Sequence, residues 1–230
     1  MRQVWRHLGF LHWRVAPEAI SPLLPPGLDV DTFAGAAYVG IVPFTIPVSR
    51  LAGVGLTIAP AFHELNLRTY VHRQGSEPGV WFFSLDAASR LAVAGARLAY
   101  GLPYFHARMS MRVTGSAANP NVQYESRRAR RGGSAELTGH YWPTGPAHEA
   151  APGTLEFFLI ERYQLYASNG TKLTSARVTH APYPVQTAGA DVVETLTTAA
   201  GLPAKKAVVP LAHYAREVDV RIYRPRRVTR

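Results

Sequence analysis

Two stretches of strict alternation limit what this chain can become. In Glu64–His72 the side chains of Glu64, Asn66, Arg68, Tyr70 and His72 fall on one side, and Leu65, Leu67, Thr69 and Val71 on the other. In Phe105–Val113, Phe105, Ala107, Met109, Met111 and Val113 oppose His106, Arg108, Ser110 and Arg112. Successive residues of a strand point to opposite faces, so each stretch reads as a strand with one apolar face. Further strands are expected near Leu8–Trp13, Ala37–Ile46, Val80–Phe83, Val122–Ser126, Ala135–His140, Lys172–His180 and Val218–Tyr223. Thr32–Ser49 carries no charge, but its Gly35, Gly40, Pro43 and Pro47 suit strand and turn better than a membrane helix.

Helices are fewer. Asp86–Tyr100 is Ala-rich, has Leu91, Val93, Ala94 and Leu98 at near-helical spacing, and stops at Gly101. Thr154–Tyr166 opens on a cap-type Thr with an early Glu156, and Pro17–Leu24 reads as two turns begun by proline. Asp191–Glu194 has capping-box form ahead of a short helix closed by Gly201. Many strands with a few interspersed helices predict an α+β fold on a mainly antiparallel sheet, and a sheet this large is expected to curl into a barrel or split into two layers. With no linker or repeat in 230 residues, a single domain spanning 1–230 is expected.

Composition narrows the chemistry. The chain has no cysteine, which excludes a disulfide framework, a thiolate metal site and a cysteine nucleophile. Its formal charge is +10, and of 25 basic residues only Lys172, Lys205 and Lys206 are lysine. Arginine keeps its charge and grips carboxylates as a planar fork, whereas imine chemistry needs a lysine amine. Phosphate-loop, dinucleotide, zinc-protease and nucleophile-elbow motifs are absent, and the histidines lack metal-ligand spacing, so no metal and no cofactor are expected. Met1–Phe10 lacks the apolar core of a signal peptide, and a cytoplasmic protein without membrane association is expected.

The polar faces of the two alternating strands remain as the candidate site. Glu64, Arg68, His106 and Arg108 bind carboxylates or move protons, unlike the Lys, Thr and Ser of an ordinary solvated face. Their strands are expected to turn these groups into a hollow and to pack Leu65, Leu67 and Met109 under the helices. Phe10, Trp13, Trp81, Phe82 and Phe83 would supply bulky walls.

The stretches Phe10–Val15, Leu23–Leu28, Tyr38–Phe44, Glu64–Val71, Gly79–Asp86 and Tyr100–Tyr104 resemble the uncharacterised YqjF-like family, grouped with acetoacetate decarboxylase-like folds. The resemblance covers most of the chain to about Tyr183. It implies a curved antiparallel sheet closing into a cone-like barrel around a cavity, in a homo-oligomer. The decarboxylase forms an imine through a lysine in a Pro-Lys-Lys segment, and Pro103-Tyr104-Phe105 occupies that place here. Tyr104 thus replaces the nucleophile, an arginine of the decarboxylase falls on Arg6, and one of its pocket glutamates falls near Gly40. The leading expectation is a pocket for a small anionic, keto acid-like molecule. Arg6, Arg68, Arg108, Asn66 and Trp81 would bind it, with His106, Glu64 and Tyr104 as acid/base groups. A lysine-dependent lyase using Lys172, Lys205 or Lys206 comes second. Binding of nucleic acid or an anionic surface through Arg127–Arg131 and Arg221–Arg230 comes third.

Overall fold

The computed structural model describes residues 1–51, 53, 55–128, 135–168, 170, 172–203 and 209–228. Strands dominate. In chain order they are β1 (Arg2–Val15), β2 (Asp29–Val30), β3 (Ala37–Arg50), β4 (Thr57–Ala59), β5 (Phe62–Arg73), β6 (Ser76–Ala87) and β7 (Tyr104–Gly115). They continue as β8 (Pro120–Arg128), β9 (Glu136–Pro143), β10 (Gln164–Ser168), β11 (Leu173–Thr179), β12 (Val185–Glu194), β13 (Leu211–Ile222) and β14 (Arg226–Arg227). Among the described residues four short α-helices intervene, α1 (Pro17–Ile20, continued by a 3-10 turn, Ser21–Leu23), α2 (Arg90–Tyr100), α3 (Leu155–Ile160) and α4 (Leu196–Ala199).

The strands form one 14-stranded sheet. Pairing runs β5–β6–β7–β8–β9–β12–β13–β1–β3 and returns from β3 to β5, so the sheet closes into a ring. A second path, through β10 and β11, also joins β6 to β13. Pairing is antiparallel except where β6 meets β7 and β10. Parallel neighbours need a crossover connection, and α2 is that crossover between β6 and β7. The β5–β6 hairpin turns at Gln74 and Gly75, whose φ of 50° and 72° suit a tight two-residue turn.

Both faces of β1, β3 and β5 are buried, and the alternation along them sorts side chains into two cores. Leu8, Phe10, Val42, Phe44, Tyr70, Phe82 and Leu85 pack with Val93 of α2 and with Leu159 and Ile160 of α3. Leu11, Trp13, Ile41, Leu65, Leu67, Tyr124, Leu137, Tyr141 and Tyr214 form the other core, joined by Ile20 of α1 and Leu196 of α4. This corrects the expected packing of β5 in part. Its leucines meet a core fed by strands around the ring and by α1 and α4, and its charged residues lie on the face that α2 and α3 cover.

Three boundaries differ from expectation. Asp86 and Ala87 extend β6, where they pair with Leu65 and Glu64, and α2 starts only after Ser89, whose Oγ accepts from the Ala92 amide. Asp191–Glu194 lies in β12 because it pairs with Leu137–His140 of β9; Glu194 still caps α4 through the Thr197 amide at 2.9 Å. The expected helix from Thr154 to Tyr166 ends at Ile160, since Gln164–Ser168 pairs with β11 and β6.

Candidate functional site

Four residues of β5, counted alternately, build the candidate site. Glu64, Asn66, Arg68 and Tyr70 share the face beneath the helices. Glu64 is 5% exposed. The Tyr104 hydroxyl, from the first residue of β7, donates to its Oε2 at 3.0 Å, and Asn66 also bonds its carboxyl. Asn66 Oδ1 is buried without a partner. Burial outweighs both hydrogen bonds and pushes the Glu64 pKa up to about 8, so it holds a proton at neutral pH. Burial, and then the neighbouring Glu64, raise Tyr104 well above the ordinary phenol value. The pair therefore carries two protons that can be offered to a ligand.

Further along β5, Arg68 is half-buried over the rings of Phe10 and Tyr70, at 5.7 and 5.6 Å from their centroids. Its Nη2 donates to the Leu159 carbonyl at 3.0 Å and to the Tyr70 hydroxyl at 3.4 Å. Its Nε is buried without a partner, and no carboxylate pairs with it among the described residues. A guanidinium taken from water without a counter-ion is costly, and the two aromatic faces offset only part of that cost.

The end of α3 explains why Arg68 is held there. The last carbonyls of a helix lack partners within it. Phe157 O accepts the Glu161 amide, Phe158 O accepts Arg162 Nε, and Ile160 O accepts the Arg162 amide. Leu159 O is left for Arg68 and for the Tyr70 hydroxyl at 2.6 Å. Tyr70 in turn lies 2.7 Å from His12 Nε2. Because the tyrosine gives its proton to Leu159 O, His12 donates through Nε2. Burial, with Arg68 adding to it, lowers the His12 pKa well below its ordinary value, so the ring is neutral. Gly40 makes room for this pair: a Cβ there would lie 3.0 Å from the His12 ring and 3.4 Å from the Tyr70 hydroxyl.

The other expected residues lie elsewhere. His106 is half-buried on the Tyr104 face, aligned with Ala87 and through it with Glu64. Arg108 shares that parity but is exposed. Arg6 is 48% exposed, pairs with Glu217, and lines a surface cleft with His7 and Arg216. A bulge around His7, whose φ is +53°, shifts β1 out of register there. Trp81 lies on the opposite face from Arg68 and packs with Leu28, Val71 and Tyr166; Phe82 stands beside Arg68 instead. His12 and Tyr70 are the additions that sequence reading did not assign to the site.

Lys172 is exposed before β11, and Lys205 and Lys206 lie outside the described residues. Of the first arginine cluster, Arg127 pairs with Glu136 at 3.2 Å, and the half-buried Arg128 pairs with the fully buried Asp86 at 2.8 Å and stacks on Phe105. Arg130 and Arg131, like Arg230 of the tail, lie outside the described residues. Asp86 is pushed up to about 6 by burial, which outweighs Arg128. Among the described residues no three His, Asp or Glu stand together as metal ligands, and no helix is long and apolar enough to cross a membrane.

Comparison with known proteins bears on this geometry. The family model DUF2071, described as an uncharacterized conserved protein, matches residues 2–219. The uncharacterized protein YqjF of Bacillus subtilis (strain 168) is 39% identical over 224 residues, covering 96% of this chain and 89% of that protein. Among solved structures, the enduracididine biosynthesis enzyme MppR complexed with pyruvate superposes with a TM-score of 0.68 at 14% identity, covering 99% of this chain and 90% of that one. The acetoacetate decarboxylase of Legionella pneumophila superposes with a TM-score of 0.63 at 14% identity, with 99% and 87% covered. At that identity the likeness shows the fold, which is acetoacetate decarboxylase-like.

Proposed function

The chain belongs to the DUF2071 family, and from that premise we propose that it takes a small oxo acid on the helix-covered face of β5 and works on it by acid/base chemistry. The observation that carries the reading is Arg68, a half-buried guanidinium with an unused Nε and no carboxylate partner among the described residues. A ligand carboxylate would supply the missing counter-charge and accept from Nε. Glu64 lies four residues away on the same face, at most roughly 13 Å between Cα atoms on an extended strand. The Arg68 guanidinium is held toward Tyr70 and Leu159, so in this proposal the ligand reaches from its Nε across Asn66 toward the Tyr104 hydroxyl.

In this arrangement the carbonyl end of the ligand meets the Glu64–Tyr104 pair. Protonated Glu64 is the general acid toward the carbonyl oxygen or an adjacent carbon, and Tyr104 donates to an oxyanion as charge develops. Asn66, between the two ends, offers its free Oδ1 to a ligand hydroxyl or enol. Tyr104 in the position of the decarboxylase lysine favours proton transfer over imine formation. Pyruvate, the ligand named with the MppR structure, is a molecule of the proposed size and charge. His106 is the second proton carrier of the proposal, from its half-buried place two residues beyond Tyr104.

Calorimetric titration of Arg68→Met and Arg108→Met with pyruvate and longer 2-oxo and 3-oxo acids tests the proposal. Loss of binding in the first variant and wild-type affinity in the second is expected. Equal affinity of Arg68→Met and the wild type for every acid in the panel would refute it.

A further inference from the structure

A separate cleft of about 360 Å³ opens where β6, α3, β10 and β11 meet. Its walls are of two kinds. Pro78, Phe157 and Tyr163 are apolar, and Glu77, Glu161 and Arg177 bring charge. Phe157 and Glu161 stand one turn apart at the end of α3, while Phe158 between them packs on Tyr38 and Tyr70. The cleft opens beside the last turn of α3, and its wall residue Phe157 and the Glu161-bound Tyr183 both pack into the core beneath Arg68.

Glu161 is buried to 6% exposure, and among the described residues it pairs with no cation. Its Oε1 accepts the Tyr183 amide and its Oε2 accepts the Tyr163 hydroxyl. Each carboxylate oxygen has a second lone pair, so the group is fixed in place and still able to accept. Glu77 sits at a bulge with φ of +52°, a conformation that side chains other than glycine rarely adopt, and its Oε2 already lies 3.6 Å from Arg73 Nη1, leaving its Oε1 for a ligand. The Tyr166 hydroxyl holds its carbonyl at 2.8 Å, and bulges of this kind redirect a side chain. Arg177 is exposed, stands opposite Gln164 across β10 and β11, and has no carboxylate partner among the described residues.

We propose that this cleft binds an α-amino acid, its ammonium between Glu161 and Glu77 and its carboxylate on Arg177. Three N–H donors of an ammonium match the two carboxylates, and the faces of Phe157 and Tyr163 favour a cation beside them. The guanidinium of Arg177 takes the carboxylate as a fork, and Pro78 and Phe157 flank the ligand side chain. The site stands apart from the oxo acid reading and does not depend on it.

Calorimetry with L-phenylalanine, L-leucine and L-arginine tests the proposal, with phenethylamine and 3-phenylpropanoate as singly charged counterparts of phenylalanine. At least one amino acid should bind saturably. Phenylalanine should bind better than either counterpart by roughly tenfold, the discrimination expected of one ion pair. Arg177→Met should remove the advantage over the amine, and Glu77→Gln and Glu161→Gln should each weaken ammonium binding. Arg68→Met should leave all of this unchanged, which separates the cleft from the β5 site. Absence of binding by all three amino acids at millimolar concentration would overturn it. So would affinities indifferent to Arg177→Met and Glu77→Gln, both surface changes that leave the fold intact.

Discussion

Replacing Glu64 by glutamine should stabilise the protein by an amount that grows with pH. The folded chain holds the Glu64 proton up to about pH 8, against 4.5 for a free carboxyl. Below about pH 4.5 the unfolded chain is protonated too, and the group costs nothing. As pH rises from 4.5 toward 8 the unfolded state gives up the proton and the folded state does not, so stability falls throughout that window. Each unit corresponds to about 1.4 kcal/mol, which makes the cost about 3 kcal/mol at pH 7 and under about 1 kcal/mol at pH 5. The glutamine of the variant would keep the shape and accept from Tyr104 but cannot ionise. Urea unfolding of both proteins from pH 5 to pH 8 measures the difference, and comparison at each pH cancels Asp86, the histidines and the amino terminus. A difference that stays constant across the range would refute the reasoning, because it would mean that Glu64 ionises alike in both states.

Two further outcomes follow from contacts next to the site. Gly40→Ala should cost about 1–3 kcal/mol in unfolding experiments, since the new methyl group presses on the His12 ring at 3.0 Å. Unchanged stability would show that the His12–Tyr70 pair yields freely. Arg128→Met should cost about 3–5 kcal/mol by leaving Asp86 buried and alone, and adding Asp86→Leu should recover most of it. A double variant no more stable than Arg128→Met would contradict that account.

Much of the geometry of the candidate site was legible because β5 alternates so strictly. The sequence places Glu64, Asn66 and Arg68 on one face, and the structure keeps them there, the first two buried and Arg68 half-buried. Parity says which side a residue takes but not what covers that side, so Arg108 follows Tyr104 and His106 in phase and still reaches solvent. Trp81 and Phe82 show the same limit: both are bulky, and only pairing register tells which one stands beside Arg68. His12 was hidden for another reason. In the stretch Leu8–Trp13 both faces are buried, so its apolar residues form a near-continuous run that masks the alternation of Leu8, Phe10 and His12. The role of Leu159 was out of reach, since it depends on a helix ending at Ile160 where the pattern predicted continuation to Tyr166.

A crystal structure of the protein soaked with pyruvate is the most direct test of the central claim. The account predicts the ligand carboxylate within hydrogen-bonding distance of Arg68 Nε, with its carbonyl turned toward Tyr104 and Glu64. Pyruvate bound elsewhere, with the Arg68 guanidinium untouched, would contradict it.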